Sequence, residues 1–167
     1  MMNGDIDFIK DAGNANRELY FDALDEGKPI EIRLPQYDQG NTQSIHFNMT
    51  TKDPIKREIF SNKDFRIGMS HAINRAEIIE VIFKGEGEPV QVCPYESSPL
   101  YNEQLCDQYV EFDIDLANEY LDKVLPDKDA EGYRLQSDGE RFNPIFSVRN
   151  NDNEGQHWVA TAELLVE

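Results

Sequence analysis

The residues best placed to do chemistry lie between Asp127 and Asp138. Asp127, Asp129 and Glu131 alternate ahead of Gly132, and Asp138 stands twelfth in the run. Oxygen ligands at the first, third and fifth places, a glycine at the sixth and a carboxylate at the twelfth are the spacing of a calcium loop, which must gather about six to eight oxygens. Three residue choices point elsewhere. Arg134 stands where such loops bury an apolar side chain, Asp138 is shorter than the usual bidentate Glu, and Ser137-Asp138-Gly139-Glu140 reads as a hairpin turn instead of a second helix. The run is therefore read as an acidic turn, with a calcium-dependent interaction module as the alternative; no metal or cofactor is assigned. His46, His71 and His157 are too far apart in sequence to form one catalytic or metal site. His157 differs in standing beside Trp158 at the start of an expected helix, where free N–H groups and the dipole favour an anion. Cys93 and Cys106 have twelve residues between them and no CxxC, so a disulfide and two free thiols are both open. GxSxG, P-loop, GxGxxG and HExxH patterns are missing, and GEGEP at 85–89 is too short and opens no helix. With no nucleophile and base to nominate, the chain is read as a non-enzyme.

A chain of 167 residues suffices for one core, and 1–167 is read as one partial domain without an internal linker or repeat. Thirty-three acids against sixteen bases leave −17, a field that repels nucleic acid and anionic lipid. Residues 103–140 hold twelve acids and three bases, whereas 52–84 hold five acids and seven bases. The acidic run is read as a solvated face. No stretch is apolar enough for a membrane span, and MMNGDIDFIKD has neither the basic start nor the apolar region of an export signal.

The elements that must position these residues are read from periodicity. NRELYFDALDE (16–26) predicts a short helix stopped by Gly27. Ile30/Ile32/Leu34 and Ile45/Phe47/Met49 alternate as half-buried strands do. From Ser61, read as a capping start, Phe65, Met69, Ala72, Ile73 and Ala76 recur at helical spacing. Asn74 with Glu77 marks a second N-cap, so a bend at Asn74 is expected, followed by a helix with Ile78, Ile79, Ile82 and Phe83 as its apolar face, ending at Gly85. Residues 86–110 read as an extended loop. Asp113 caps a helix with the stripe Leu116, Ala117, Tyr120, Leu121, Val124 and Leu125, stopped by Pro126. Tyr133/Leu135 and Phe142/Ile145/Val148 flank the hairpin turn, and a last helix runs from near Gly155 through Trp158, Ala162 and Leu165.

The run FSNKDFRIGMSHAINRAEIIEVIFKGEGEPVQ (60–91) carries Asp64, Phe65, Arg66, Gly68, Ser70, Ala72, Ile73, Asn74, Arg75, Ile78, Gly85, Gly87 and Pro89 in a characteristic order. It resembles the family 5 extracellular solute-binding proteins, the oligopeptide/dipeptide-binding components of ABC importers. EFDIDLANEYLDKVL (111–125), the 127–139 turn, SIHFNMT (44–50) and GDID (4–7) are similar to further phrases of that family, in the same order. Two departures, Gly68 for the usual Ala and Ile114 for the frequent Pro, are expected to leave the local fold unchanged.

The resemblance implies an α/β fold, a mixed sheet with flanking helices, as a fragment of the second lobe of a periplasmic-binding-protein type II-like two-lobe protein. The signal or lipoprotein peptide, the first lobe and a C-terminal return segment of such a protein are then expected to lie outside these residues. It also implies an extracellular or periplasmic setting, a lipoprotein tether in the full-length protein and an ABC permease as partner. The ligand is expected to be a peptide, with an oligosaccharide as the alternative, for which Trp158 and Tyr95 would stack a ring. The turn entering the last helix faces the cleft in such proteins, which makes Arg149, Asn150 and His157 the candidate ligand contacts. Arg149 and a protonated His157 would pair with a carboxylate and Asn150 with a peptide amide.

Overall fold

The computed structural model describes residues 6–9, 17–33, 43–148 and 155–166. Their helices are α1 (Arg17–Asp25), α2 (Pro54–Ser61), α3 (Lys63–His71), α4 (Arg75–Phe83), α5 (Glu103–Asp107), α6 (Ile114–Asp122) and α7 (Gly155–Val166). The chain divides into two compact units, Met1–Tyr37 and Asp38–Glu167.

In the first unit, α1 ends as its sequence demands. Gly27 takes a left-handed φ of +77°, which lets its N–H reach Leu24 O at 2.9 Å and the Lys28 N–H reach Ala23 O at 3.0 Å. Those two bonds are the Schellman closure, and a side chain at Gly27 would strain it.

The second unit is organised by short polar caps. Asp53 accepts from the N–H groups of Ile55 and Lys56 at 3.0 and 3.1 Å, and Pro54 fills the first helical position, where its missing N–H costs nothing. Asn62 closes α2 and opens α3 by accepting from the Asp64 N–H at 2.8 Å, so the cap is Asn62 and not the Ser61 suggested by the sequence. The bend at Asn74 is present: its Oδ1 accepts from Glu77 N–H at 3.2 Å and its Nδ2 donates to Glu77 Oε2 at 3.0 Å. Asp113 caps α6 through the Leu116 N–H at 2.9 Å. Two helices were not legible from periodicity. Residues 54–61 carry α2, and the stretch 86–110 contains the five-residue α5 behind the cap Asn102 in place of a wholly extended loop.

The core is aromatic. Phe65 is 1% exposed and meets Phe47 at 5.3 Å and Phe142 at 5.5 Å, both edge-on, while Phe60 closes the group from α2 at 5.9 Å. Edge-to-face rings at these separations add to the burial of their apolar area. Ile59, Leu121, Val124 and Leu125 pack around them. Of the expected α6 stripe, Ala117 and Leu125 are buried; on α4, no residue is buried outright, and Ile78, Ile79, Ile82 and Phe83 are only half-buried. That helix packs on α7, not into the aromatic cluster.

The expected mixed sheet does not form among the described residues. Pairing there is limited to two isolated antiparallel bridges, Lys128 with Arg134 and Leu135 with Arg141. Alternation in sequence does produce the alternating burial of a strand: Ile30, Ile32, Ile45 and Phe47 are half-buried, while Glu31, Arg33, His46 and Asn48 are exposed. Same-side neighbours meet accordingly, Arg33 Nε with Glu31 at 2.7 Å and Ser44 Oγ with His46 Nε2 at 2.7 Å. A strand also needs a partner to accept its hydrogen bonds, and period-two patterning cannot supply one. The hairpin turn at Gly139 (φ +85°) is formed, with Gln136 N–H bonded to Glu140 O at 2.7 Å, but Ile145 beyond it is 88% exposed and has no facing strand.

One departure from the family phrase proves to be structural. A Cβ on Gly68 would stand 2.8 Å from Leu121 Cγ and 3.0 Å from the Ala117 carbonyl oxygen, both on α6. The expectation that Gly68 is locally neutral is therefore corrected: α3 and α6 approach too closely for a methyl group. Alanine in a helix gains up to about 1 kcal/mol over glycine, whereas overpacking against backbone costs about 1–3 kcal/mol. Gly68→Ala is therefore expected to lower stability, by up to about 2 kcal/mol, in urea unfolding, the reverse of the propensity effect.

Candidate functional site

The polar residues of the 60–91 phrase converge where α3 meets α4. Ser70 Oγ donates to Tyr109 O at 2.7 Å, Arg75 Nη1 to Ser70 O at 2.8 Å and to Val110 O at 3.2 Å, and Arg75 Nη2 to Ser70 Oγ at 2.7 Å. Gln91 Nε2 donates to Gln108 O at 3.0 Å and to Ser70 Oγ at 2.9 Å, and its backbone N–H bonds Cys106 O at 2.7 Å. His71, 1% exposed, completes the series: its Nδ1 is 3.1 Å from Glu111 O, which fixes the proton on Nδ1 because a carbonyl only accepts. The backbone of Asp113, the α6 cap, returns a bond to His71 O at 3.0 Å. The carbonyls of 106 and 108–111 are thus each met by a donor from Gln91, Ser70, Arg75 or His71. Burial lowers the Arg75 pKa from its ordinary value and the Glu111 carboxylate opposes that shift, leaving a guanidinium that remains charged. This constellation satisfies the backbone of an irregular segment. His71 is spent in it, stacked on Tyr120 at 5.9 Å with Tyr109 edge-on at 5.9 Å.

Of the residues expected to contact ligand, Arg149 and Asn150 lie outside the described residues. His157 lies in the first turn of α7, half-buried, with its ring edge-on to Phe83 of α4 at 5.9 Å. Trp158 and Tyr95 are half-buried, on α7 and in the loop after α4 respectively. A groove of about 220 Å3 lies at the other end of α7, between Leu164 and Leu165, Ile78 of α4, and Phe112 and Ile114 at the start of α6. Its polar rim, Asn74 and Glu77, is already bonded to itself. The structure therefore places His157 away from the groove. Farther along α7, Thr161, 8% exposed, donates to Gln43 Oε1 at 2.7 Å and ties the helix to the extended segment 43–48.

The calcium-like spacing closes on a cation of the chain itself. Asp129 Oδ1 accepts from the N–H groups of Glu131 and Tyr133 at 2.9 and 3.0 Å, and its Oδ2 meets Arg141 Nε at 2.5 Å. Glu131 holds Arg141 Nη2 at 2.8 Å, and Asp138 Oδ1 takes the Glu140 N–H at 3.0 Å. Among the described residues no group of three or more His, Cys, Asp or Glu is arranged to hold a metal ion. Arg134, anomalous for a calcium loop, has a different use. It bonds Leu125 O at 2.7 Å, Asn118 Oδ1 at 2.7 Å and Asp122 Oδ1 at 2.6 Å, fastening the turn to the end of α6.

That hydrogen bond from Arg134, ahead of the attraction of Arg134 and Lys128, holds the Asp122 carboxyl below the usual carboxylate range, against a smaller opposing effect of desolvation. A depressed folded-state pKa contributes stability above the unfolded pKa and loses it as pH falls through the folded one. Asp122→Asn should therefore melt below the unsubstituted chain at pH 7, with the gap closing below about pH 4. A gap of constant size across thermal melts from pH 7 to pH 3 would contradict this.

Comparisons with known proteins meet this geometry from outside. A search of curated proteins finds no match. Among solved structures, the oligopeptide-binding protein OppA is 33% identical with a TM-score of 0.63, over 77% of this chain and 20% of that one. The chain thus spans about a fifth of the length of that structure. The family model for the middle region of the bacterial extracellular solute-binding proteins, family 5, matches residues 1–167. That match takes in every segment from the first residues to α7, including the α3–α4 phrase and the α6 cap just described, and the chain belongs to the bacterial extracellular solute-binding proteins of family 5.

Proposed function

We propose that the chain is part of the peptide-binding component of an ABC importer, acting by capture without catalysis. The observation that carries this reading is the 33% identity and TM-score of 0.63, over 77% of the chain, to a protein named for binding oligopeptides. The Cys93–Cys106 disulfide, with Cα atoms 5.4 Å apart, supports a setting outside the reducing cytoplasm. In this reading the 167 residues belong to the second lobe of a longer protein, tethered as a lipoprotein, whose lobes close on the ligand and present it to a permease. The extended segments 30–33, 43–48 and 143–148 then find their ladder partners in the rest of that protein, which restores the mixed sheet. The alternating burial at 30–33 and 45–48 and the exposed Ile145 are the features that favour it.

Arg149, Asn150 and His157 are the ligand contacts of this proposal, the first and last for a carboxylate and the second for a peptide amide. His157 is held by Phe83 in the first turn of a twelve-residue helix, where N–H groups without an intrahelical partner favour a negative group.

Isothermal titration of the full-length protein and of the 167-residue piece with di- to hexapeptides tests the reading. The full-length protein is expected to bind with Kd near or below about 1 μM, the piece at least about 100-fold more weakly, and Arg149→Ala to cost about tenfold or more. Micromolar binding by the isolated piece would contradict the two-lobe reading. Heat with oligosaccharides but none with peptides would transfer the function to sugars stacked on Trp158 and Tyr95.

A further inference from the structure

The region from Gln91 to Asp113 is held in two different ways. Its second half, 106–113, is docked by the donors of α3, α4 and Gln91 along its carbonyls, by a route that does not include the disulfide. Its first half is not. The hydrogen bonds described for residues 92–105 stay within the loop and the α5 turn at its end: Ser98 N–H to Tyr95 O, Tyr101 N–H to Ser98 O, Leu100 N–H to Ser98 Oγ, and the N–H groups of Leu105 and Cys106 to Asn102. The covalent link from Cys93 to Cys106 closes the loop at its base, beside the bond from Gln91 N–H to Cys106 O. Val92, Leu100 and Leu105 are 67%, 79% and 56% exposed, so apolar burial fastens those three residues little.

We propose that the Cys93–Cys106 disulfide is a redox latch for the 92–105 loop alone, its opening releasing the loop while 106–113 and the helices behind it stay docked. Cys106 is 2% exposed and Cys93 only half-buried, so an incoming thiolate reaches Cys93 first. One thiolate of a dithiol reductant attacks Cys93 Sγ, the S–S bond breaks, and Cys106 leaves as a thiolate that takes up a proton. The second thiol of the reductant then displaces Cys93, which is protonated in turn, and the reductant closes to its own disulfide. Two electrons and two protons pass to the protein. The freed loop offers its apolar residues together with the carboxylates of Glu96 and Glu103.

The test is glutamyl-endopeptidase digestion of the 167-residue chain before and after dithiothreitol and alkylation, with cut sites mapped by mass spectrometry. The oxidised chain should show no titratable thiol and the reduced chain two. Cleavage after Glu96 and Glu103 should accelerate at least about tenfold on reduction, while cleavage after Glu111 and Glu119 stays slow. Removing the reductant before alkylation and reoxidising should restore protection. Arg75→Gln supplies the opposite phenotype, faster cleavage after Glu111 with the disulfide intact. Unchanged cleavage of the loop on reduction, or cleavage spreading at once to Glu111 and Glu119, overturns the proposal. So do two titratable thiols before reduction.

Discussion

At Gly68 the backbone of α3 passes so near α6 that an added Cβ would stand 3.0 Å from the Ala117 carbonyl. Most of the second unit depends on that approach. It draws Phe65, one turn back on α3, and Leu121 and Leu125, from α6 and the turn that follows it, into the same core, where Phe47, Phe60 and Phe142 complete the packing. In the other direction along α3 it brings Ser70 and His71 to the segment that leads into α6. The polar clamp there is a consequence of helix spacing, because hydrogen-bond donors at 2.7–3.2 Å tolerate little displacement.

The clamp changes the meaning of the phrase by which the family is recognised. Ser70, Arg75 and Gln91 resemble residues of a binding site in type, since each carries donors suited to carboxylates and amides. Their donors are committed to carbonyls of 108–110, and leaving those carbonyls unmet in a partly buried place would cost more than each bond gains. A sequence phrase can therefore mark a solute-binding family while serving only to hold an irregular segment. His157, by contrast, takes no part in that clamp and packs against Phe83 at the start of α7. The acidic turn follows the same logic, with Asp129 and Glu131 directed to Arg141 and Arg134 directed to the end of α6.

What was legible in the sequence was what short-range chemistry determines. Gly27, Asn74 and Asp113 announced their caps, and the three-and-four spacing found Phe65, Met69, Leu121, Val124 and Leu125 of the core, though not the buried Ile67 and His71 of α3. Alternation gave the half-buried and exposed sides at 30–33 and 45–48 but failed at Met49, which is exposed, while Leu34 lies outside the described residues; nor could it give a ladder, which depends on a partner elsewhere. Helix α2 was missed although Asp53-Pro54 is an N-cap followed by a first-turn proline; with one buried residue, Ile59, its periodicity was too faint. The short α5 and the pairing of Cys93 with Cys106 needed the fold, as did Gly68, whose glycine looks incidental until α6 is beside it. Of the proposed ligand contacts, sequence supplied the place of His157 on a helix start but not its packing, and Arg149 and Asn150 lie outside the described residues.

If one helix spacing governs both the aromatic core and the polar clamp, the two cannot be damaged independently. A double-mutant cycle of Gly68→Ala with Arg75→Gln, by urea unfolding of the 167-residue chain, measures that dependence directly. The double variant is expected to be less destabilised than the sum of the single ones by at least about 0.5 kcal/mol, because helices spread at Gly68 have already loosened the Arg75 bonds. Additivity within about 0.3 kcal/mol would show two separate fastenings and contradict it.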